Sequence, residues 1–208
     1  MQNGTENEGW IVKRRSTWGI VLSALLLAGS GVAWADAVVR VHLNGTTLEF
    51  DGADVRLTPD GVMVPLRRIS EALGALVVWD GDNTTANLYK PNVHLLVAED
   101  VSREGDGYVI RRPFGRIESG LQKKFSVLVQ VDNLKTNLES FRVRVVDPKG
   151  ETVGDSPDLS AAGVKDNFWV RSDFQISFNR KGEYRVQFLA KLPGGSYATL
   201  SEKAIVAE

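Results

Sequence analysis

The chain has 208 residues, of which 43% are hydrophobic and 25% are charged, proportions typical of a globular protein and unlike those of disordered or collagen-like chains. Its 25 lysine and arginine residues nearly balance 26 aspartate and glutamate residues, so no overall positive field favours binding to nucleic acid. Cysteine is absent, which excludes disulfide bonds, thiolate chemistry and zinc sites built on cysteine. Only two histidines occur.

The first 35 residues have the pattern of a secretory signal peptide. Basic residues at 13–15 precede an uncharged apolar run at 18–28, and Ala33 and Ala35 place small side chains where signal peptidase requires them. We therefore expect cleavage after Ala35 and an extracellular or cell-envelope location. The alternative is an uncleaved anchor, because the uncharged stretch 16–35 is about 20 residues long, near the minimum for crossing a bilayer.

Residues 37–92 predict a small α+β module, an antiparallel sheet with one helix. Apolar residues alternate on both sides of Asn44-Gly45, the strongest short-range signal for a β-hairpin. A second hairpin is predicted around Asp80-Gly81-Asp82-Asn83. Between the two, apolar residues recur at helical spacing from Pro65 to Gly74, which predicts one short amphipathic helix.

The same stretch, residues 41–89, resembles a known family through a series of short motifs. The motifs are Leu43-Asn44-Gly45, Val64-Pro65-Leu66-Arg67, Ile69, Glu71-Ala72-Leu73-Gly74-Ala75 and Val78-Trp79-Asp80. This combination is similar to the copper amine oxidase N-terminal-like domain, also called a stalk domain. In that family the domain is a short antiparallel sheet curled against one helix, at the front of many exported proteins of Gram-positive bacteria. The resemblance implies a role as a spacer or an interaction module.

Amine oxidase chemistry does not follow from this resemblance. In the enzymes it belongs to a separate large domain, with three copper-binding histidines and a tyrosine that is converted to a quinone. Here His42 and His94 are the only histidines, and none of the four tyrosines has the required neighbours. We therefore expect no enzymatic activity, no cofactor and no metal site.

Residues 115–208 predict an all-β sandwich of immunoglobulin-like size. About seven strand-like runs alternate apolar and polar residues, at 125–131, 141–145, 168–170, 174–178, 184–189 and 197–206 among others, with turns rich in glycine and proline between them. Tyr184 lies where such domains often have a tyrosine that ties a corner. For residues 93–114 the pattern leaves open a linker or a shared strand.

Aromatic residues are the candidate contacts with a ligand or partner. Phe168 and Trp169 are neighbours on a predicted strand, so their side chains point to opposite faces. The pattern favours Trp169 as a core residue, and the alternative places it outside, where it contacts a sugar or a partner. Trp169 and Tyr197 are therefore the candidate contact residues, whereas Trp79 is predicted to lie in the core of the first module.

Acidic residues lie mainly in predicted turns. Their clustering raises the alternative of a calcium site, but none follows the calcium-loop pattern, and turn conformation explains them. The residues concerned are Asp51, Asp54, Asp60, Asp80 and Asp82.

The sequence thus predicts a non-catalytic exported cell-envelope or extracellular protein that acts as a spacer or interaction module, with an envelope protein or a cell-wall glycan as its partner. One alternative is a carbohydrate- or peptidoglycan-binding protein, which requires an exposed aromatic platform. Another is a small hydrolase, which requires carboxylates that converge in a pocket. No nucleophile elbow, phosphate loop or metalloprotease motif occurs in the sequence.

Overall fold

The computed structural model describes residues 39–50, 55–164 and 166–208. The predicted leader at 1–35, with Ala33 and Ala35, lies outside the described residues, as do Asp51 and Asp54. None of the helices in the described ranges is long and apolar enough to cross a membrane.

The N-terminal part consists of three small hairpins and one helix. The elements are β1 (Val41–Leu43), β2 (Thr46–Leu48), β3 (Arg56–Thr58), β4 (Gly61–Met63), α1 (Leu66–Ala72), β5 (Leu76–Asp80) and β6 (Thr85–Tyr89). Asn44 and Gly45 join β1 to β2 with φ angles of 50° and 82°, the left-handed conformation that a tight hairpin turn requires. Both hairpins and the helix predicted from the sequence are therefore confirmed.

Two packed sheets form the rest of the described chain. The first has the strand order β14-β10-β7-β8, and the second has the order β12-β11-β15-β16-β9, with β13 beside β11. Their bounds are β7 (Asn92–Glu104), β8 (Gly107–Pro113), β9 (Arg116–Ile117), β10 (Gln122–Asp132), β11 (Ser140–Val146), β12 (Thr152–Asp155), β13 (Leu159–Ser160), β14 (Phe168–Ser177), β15 (Gly182–Lys191) and β16 (Tyr197–Ala207). The predicted class, a β-sandwich preceded by a small module of strands and one helix, is confirmed.

The core between the sheets follows the alternation of the central strands. Val127, Val129 and Val131 of β10 are fully buried, as are Val143 and Val145 of β11. Because side chains alternate across a strand, every second residue of β10 and β11 meets the facing sheet. The apolar alternation read from the sequence is therefore the pattern of this core.

Tyr184 ties one corner of the sandwich. Its ring is 1% exposed and packs edge-on against Phe178, with 4.8 Å between ring centroids. Its hydroxyl oxygen accepts a hydrogen bond from the backbone N–H of Arg180 at 3.0 Å. Tyr184 thus fixes the turn that leads from β14 into β15, as the sequence predicted.

Asp147 locks the neighbouring turn between β11 and β12. Its side chain is 2% exposed, accepts hydrogen bonds from the backbone N–H groups of Lys149 and Glu151 at 2.9 Å each, and pairs with the guanidinium of Arg180. Burial alone would raise the pKa of Asp147, but the hydrogen bonds from the Glu151 backbone and from Arg180 outweigh it and hold the pKa below its ordinary value.

Residues 93–114 belong almost wholly to β7 and β8 of the first sheet. Strand β7 lies between β10 and β8, and Val97 is buried in the sandwich core. The stretch for which the sequence left open a linker or a shared strand is thus strand, and the first sheet begins at Asn92.

Hairpin β5–β6 packs against the sandwich with one of its two faces. Leu76 is buried in the sandwich core and Tyr89, its cross-strand partner, packs against it. Trp79, predicted to be a core residue, lies on the opposite face with 59% of its surface exposed, so that prediction is wrong. A two-stranded hairpin can bury only one face here, and the face that carries Leu76 is the one that meets the sandwich.

The predicted module sheet takes a different form in the described residues. The six short strands pair as three separate hairpins, and hydrogen bonds do not join one hairpin to the next. Strands β1 to β4 have only three residues each, enough to pair with the strand across their own turn.

Candidate functional site

Trp169 lies on the outer face of the first sheet. Its neighbour Phe168 points inward and packs on Phe141 of the second sheet, with 4.9 Å between ring centroids, and on Phe188. Trp169, on the other side of β14, is 49% exposed. The favoured interpretation of Trp169 as a core residue is therefore wrong, because the space between the sheets is occupied by Phe168 instead.

Tyr108 of β8 stacks against Trp169. Their ring centroids are 5.8 Å apart and the ring planes differ by 28°. Tyr108 itself packs, with Leu96, on a small buried cluster formed by Ala98, Val101 and Leu128, which is separate from the main core. Two distant parts of the chain thus meet in one aromatic pair.

Sequence reasoning missed Tyr108 because residues 93–114 had no assigned element. The signal was present in the two-residue loop Gly105-Asp106, which joins Glu104 to Gly107 across a hairpin. A glycine followed by aspartate in a two-residue loop is typical of a hairpin turn, and Gly105 has a φ of 60°.

Polar side chains extend from Trp169 across the sheet. Gln130 of β10 is its cross-strand partner, and His94 of β7 is the partner of Gln130. Cross-strand partners share one face of a sheet, so these three residues form a row on the outer surface. The amide nitrogen of Gln130 donates a hydrogen bond to Asp132 at 2.8 Å.

Charged groups beside this row are paired with one another. Arg171 donates two hydrogen bonds to Asp173, at 2.9 and 2.7 Å, and these raise the pKa of the guanidinium while lowering the pKa of the carboxyl. Arg111 bonds Asp100 at 3.1 Å and Glu104 at 3.2 Å. Both of these arginines therefore already have carboxylate partners, whereas Arg103, the cross-strand partner of Tyr108, forms no ion pair in the part of the chain that the structure describes.

Tyr197, the other candidate contact, lies on the second sheet and is not brought near Trp169. Its hydroxyl is hydrogen-bonded to the hydroxyl of Ser140 at 2.7 Å, and the guanidinium of Arg142 lies 3.9 Å from its ring centroid. Its side chain also borders an open depression of about 540 Å³ between β16, the end of β2 and α1. Tyr197 is thus half-buried and already engaged by its neighbours.

The acidic turn at Asp80 uses its carboxylate to shape the hairpin. Asp80 accepts hydrogen bonds from the backbone N–H groups of Asp82 and Asn83, and from the side-chain amide of Asn83 at 2.8 Å. The Asn83 amide is the main reason that the pKa of Asp80 is lowered. Within the described ranges, no group of three or more histidine and acidic side chains is arranged to hold a metal ion.

Carboxylates elsewhere in the described chain are stabilised as anions. The side chain of Lys123 bonds Glu99 at 2.6 Å and lowers the pKa of that carboxyl, and Lys191 does the same for Glu139. Lys135 lowers the pKa of Asp166 in the same way. Such groups act as ion-pair partners rather than as proton donors at neutral pH.

Comparisons with known proteins add one family model and several solved structures. No curated protein matches the chain. One of the solved structures matched is the CARDB domain of a Pyrococcus furiosus protein, solved in complex with di-metal ions. The two chains are 11% identical over a match that covers 57% of this chain and 89% of the Pyrococcus domain, with a TM-score of 0.30.

The family match falls on the N-terminal module and the start of the first sheet. Residues 42–100, from β1 into β7, match the model of a domain described as the copper amine oxidase N-terminal domain. The matched description is that of an accessory domain at the front of a protein and not that of a catalytic domain. The stretch recognised by its motifs is thereby confirmed as similar to the copper amine oxidase N-terminal domain.

Proposed function

We propose that this chain is a non-catalytic protein of the cell envelope or the extracellular space that acts as a spacer or interaction module. The pattern of the first 35 residues supports export, and the match of residues 42–100 to an N-terminal accessory domain supports a role outside catalysis. Its partner is a component of the envelope.

The observation that carries the proposal is the match of residues 42–100 to the copper amine oxidase N-terminal domain, and the direction of the carboxylate pKa shifts agrees with it. A carboxylic acid that donates a proton near neutral pH needs a raised pKa, usually from burial in apolar surroundings. In the described residues each carboxylate with a resolved shift has a lowered pKa, including Asp147, which is deeply buried. These acidic groups are therefore suited to holding turns and ion pairs together, which is the work of a structural or binding module.

The proposal is tested by whether residues 1–35 are cleaved and where the product is found. The full chain, carrying a C-terminal tag, is expressed in a Gram-positive bacterium, and the N-terminus and cellular fraction of the product are determined by mass spectrometry. We expect a product that begins at Asp36 outside the cytosol. The substitution Ala33→Gln should block this cleavage, whereas Ala37→Gln, beyond the cleavage site, should leave it intact. An intact leader on a cytosolic product would contradict the proposal.

A second candidate function, binding to carbohydrate or peptidoglycan, is favoured by the exposure of Trp169. An aromatic ring that is half exposed and fixed by a second ring is a surface on which a sugar can stack. Retention of the protein on purified cell wall, with release by soluble glycan, would support this function. Retention that soluble glycan does not reverse would count against it.

A further inference from the structure

We propose that Trp169 and Tyr108, with the row of Gln130 and His94 beside them, form a binding site for a neutral saccharide. The proposal rests on the proposed function, since it assigns to a non-catalytic binding module its site and the chemical class of its ligand. It is carried by the geometry of the rings, by their buried support and by the balance of charge around them.

The ring geometry leaves part of Trp169 available. Tyr108 stacks against it, at 5.8 Å between centroids and with the planes 28° from parallel. Nearly half of the surface of Trp169 remains exposed. The face of an aromatic ring carries negative partial charge, which attracts the weakly positive C–H groups on the flat side of a pyranose ring.

The aromatic pair is held in place before any ligand binds. Tyr108 packs on Ala98, Val101 and Leu128, whose exposures are 0 to 2%. On the other side of β14, Phe168 is packed against aromatic rings of the second sheet. A platform fixed in this way loses little conformational entropy when a ligand stacks on it.

The row beside Trp169 offers the hydrogen-bonding groups that sugar hydroxyls need. The amide nitrogen of Gln130 is held by Asp132, and its amide oxygen accepts no hydrogen bond from the described residues. The imidazole of His94 lies exposed at the next position across the sheet. An amide and an imidazole can both exchange hydrogen bonds with hydroxyl groups.

The charge balance selects a neutral ligand. Arg171 is held by Asp173, and Arg111 is held by Asp100 and Glu104. Arg103, the cross-strand partner of Tyr108, forms no ion pair within the described residues, and the carboxylate of Asp132 lies beside Gln130. An acidic polysaccharide would meet the repulsion of these carboxylates. A neutral sugar needs only the ring face and the hydroxyl partners.

The test is native affinity electrophoresis of the purified full-length chain. Gels contain hydroxyethyl cellulose or glycol chitin as neutral polymers, or alginate as an acidic one. We expect retardation by a neutral polymer and no retardation by alginate. Trp169→Ala should weaken the binding roughly tenfold or more, as the loss of a central aromatic contact does.

Trp79, the second exposed tryptophan among the described residues, provides a matched control. Trp79→Ala removes a tryptophan of similar exposure from the other module and should leave retardation unchanged. Gln130→Ala should weaken binding while keeping both rings, so the proposal stays testable if Trp169→Ala disturbs the fold, as judged by circular dichroism.

The outcomes are distinct from those of the export experiment. Mobility unaffected by both neutral polymers, equal retardation of the Trp169→Ala and unaltered proteins, or preferential retardation by alginate would each overturn the saccharide site. Binding that responds only to an envelope protein would overturn it as well, while a cleaved leader would leave the proposed function standing.

Discussion

Replacing Tyr184 with phenylalanine removes a single oxygen atom from the corner of the sandwich. That oxygen accepts the backbone N–H of Arg180 at 3.0 Å, and the side chain that carries it is 1% exposed. Water cannot readily replace the lost acceptor there. A donor left unsatisfied in such a place costs about 1–3 kcal/mol of unfolding free energy.

The loss can be measured by urea unfolding followed by tryptophan fluorescence. With a dependence of about 2 kcal/mol per molar urea, the midpoint should fall by about 0.5–1.5 M while the slope stays constant. Tyr197→Phe is the matched control, because its hydroxyl bonds a hydroxyl, that of Ser140, at a half-exposed site. That variant should lose less than about 1 kcal/mol. Equal midpoints for the two variants would refute the assignment of Tyr184 as the corner tie.

Two further substitutions probe the turns and the attachment of the module. The lowered pKa of Asp147 means that its contribution to stability is present above about pH 4 and is lost as the pH falls through the lower pKa of the folded state. Asp147→Asn should therefore destabilise the protein at pH 7, and the difference from the unaltered protein should shrink in urea unfolding below pH 4; a constant difference would contradict this. Gly74→Ala should destabilise by more than about 1 kcal/mol, because Gly74 has a φ of 68° and a Cβ there would collide with the carbonyl oxygen of Leu200. Thermal unfolding checks this, with Gly81→Ala as control since its added Cβ meets only a side chain at 3.6 Å; equal melting temperatures would argue against the close approach.

Local signals accounted for much of the fold. The turn at Asn44-Gly45, the hairpin at Asp80 and the corner at Tyr184 were all predictable, because each depends on the conformational preferences of a few adjacent residues. Strands β10, β11 and β14 to β16 followed from the alternation of apolar residues, which directly reflects which face of a strand is buried, whereas β7 and β8 of the first sheet were left open.

The features that escaped prediction depend on contacts between distant parts of the chain. Alternation shows that the side chains of Phe168 and Trp169 point to opposite faces of the strand. Which of them is buried depends on packing against Phe141 of the second sheet. Likewise, Trp79 is exposed because Leu76, on the other face of its hairpin, meets the sandwich core. Tyr108 reaches Trp169 only through the pairing of β7 with β10, which no short window of sequence contains.

The position of β7 has a consequence for dividing this protein. The family match ends at residue 100, in the middle of a thirteen-residue strand that pairs with β10 on one side and β8 on the other. A cut at that position would separate Ala98 from Val101, which share one buried cluster, and would leave the edge of β10 without its partner. The region of the family match and the sandwich therefore share strand β7. A fragment meant to fold alone has to contain the whole of β7.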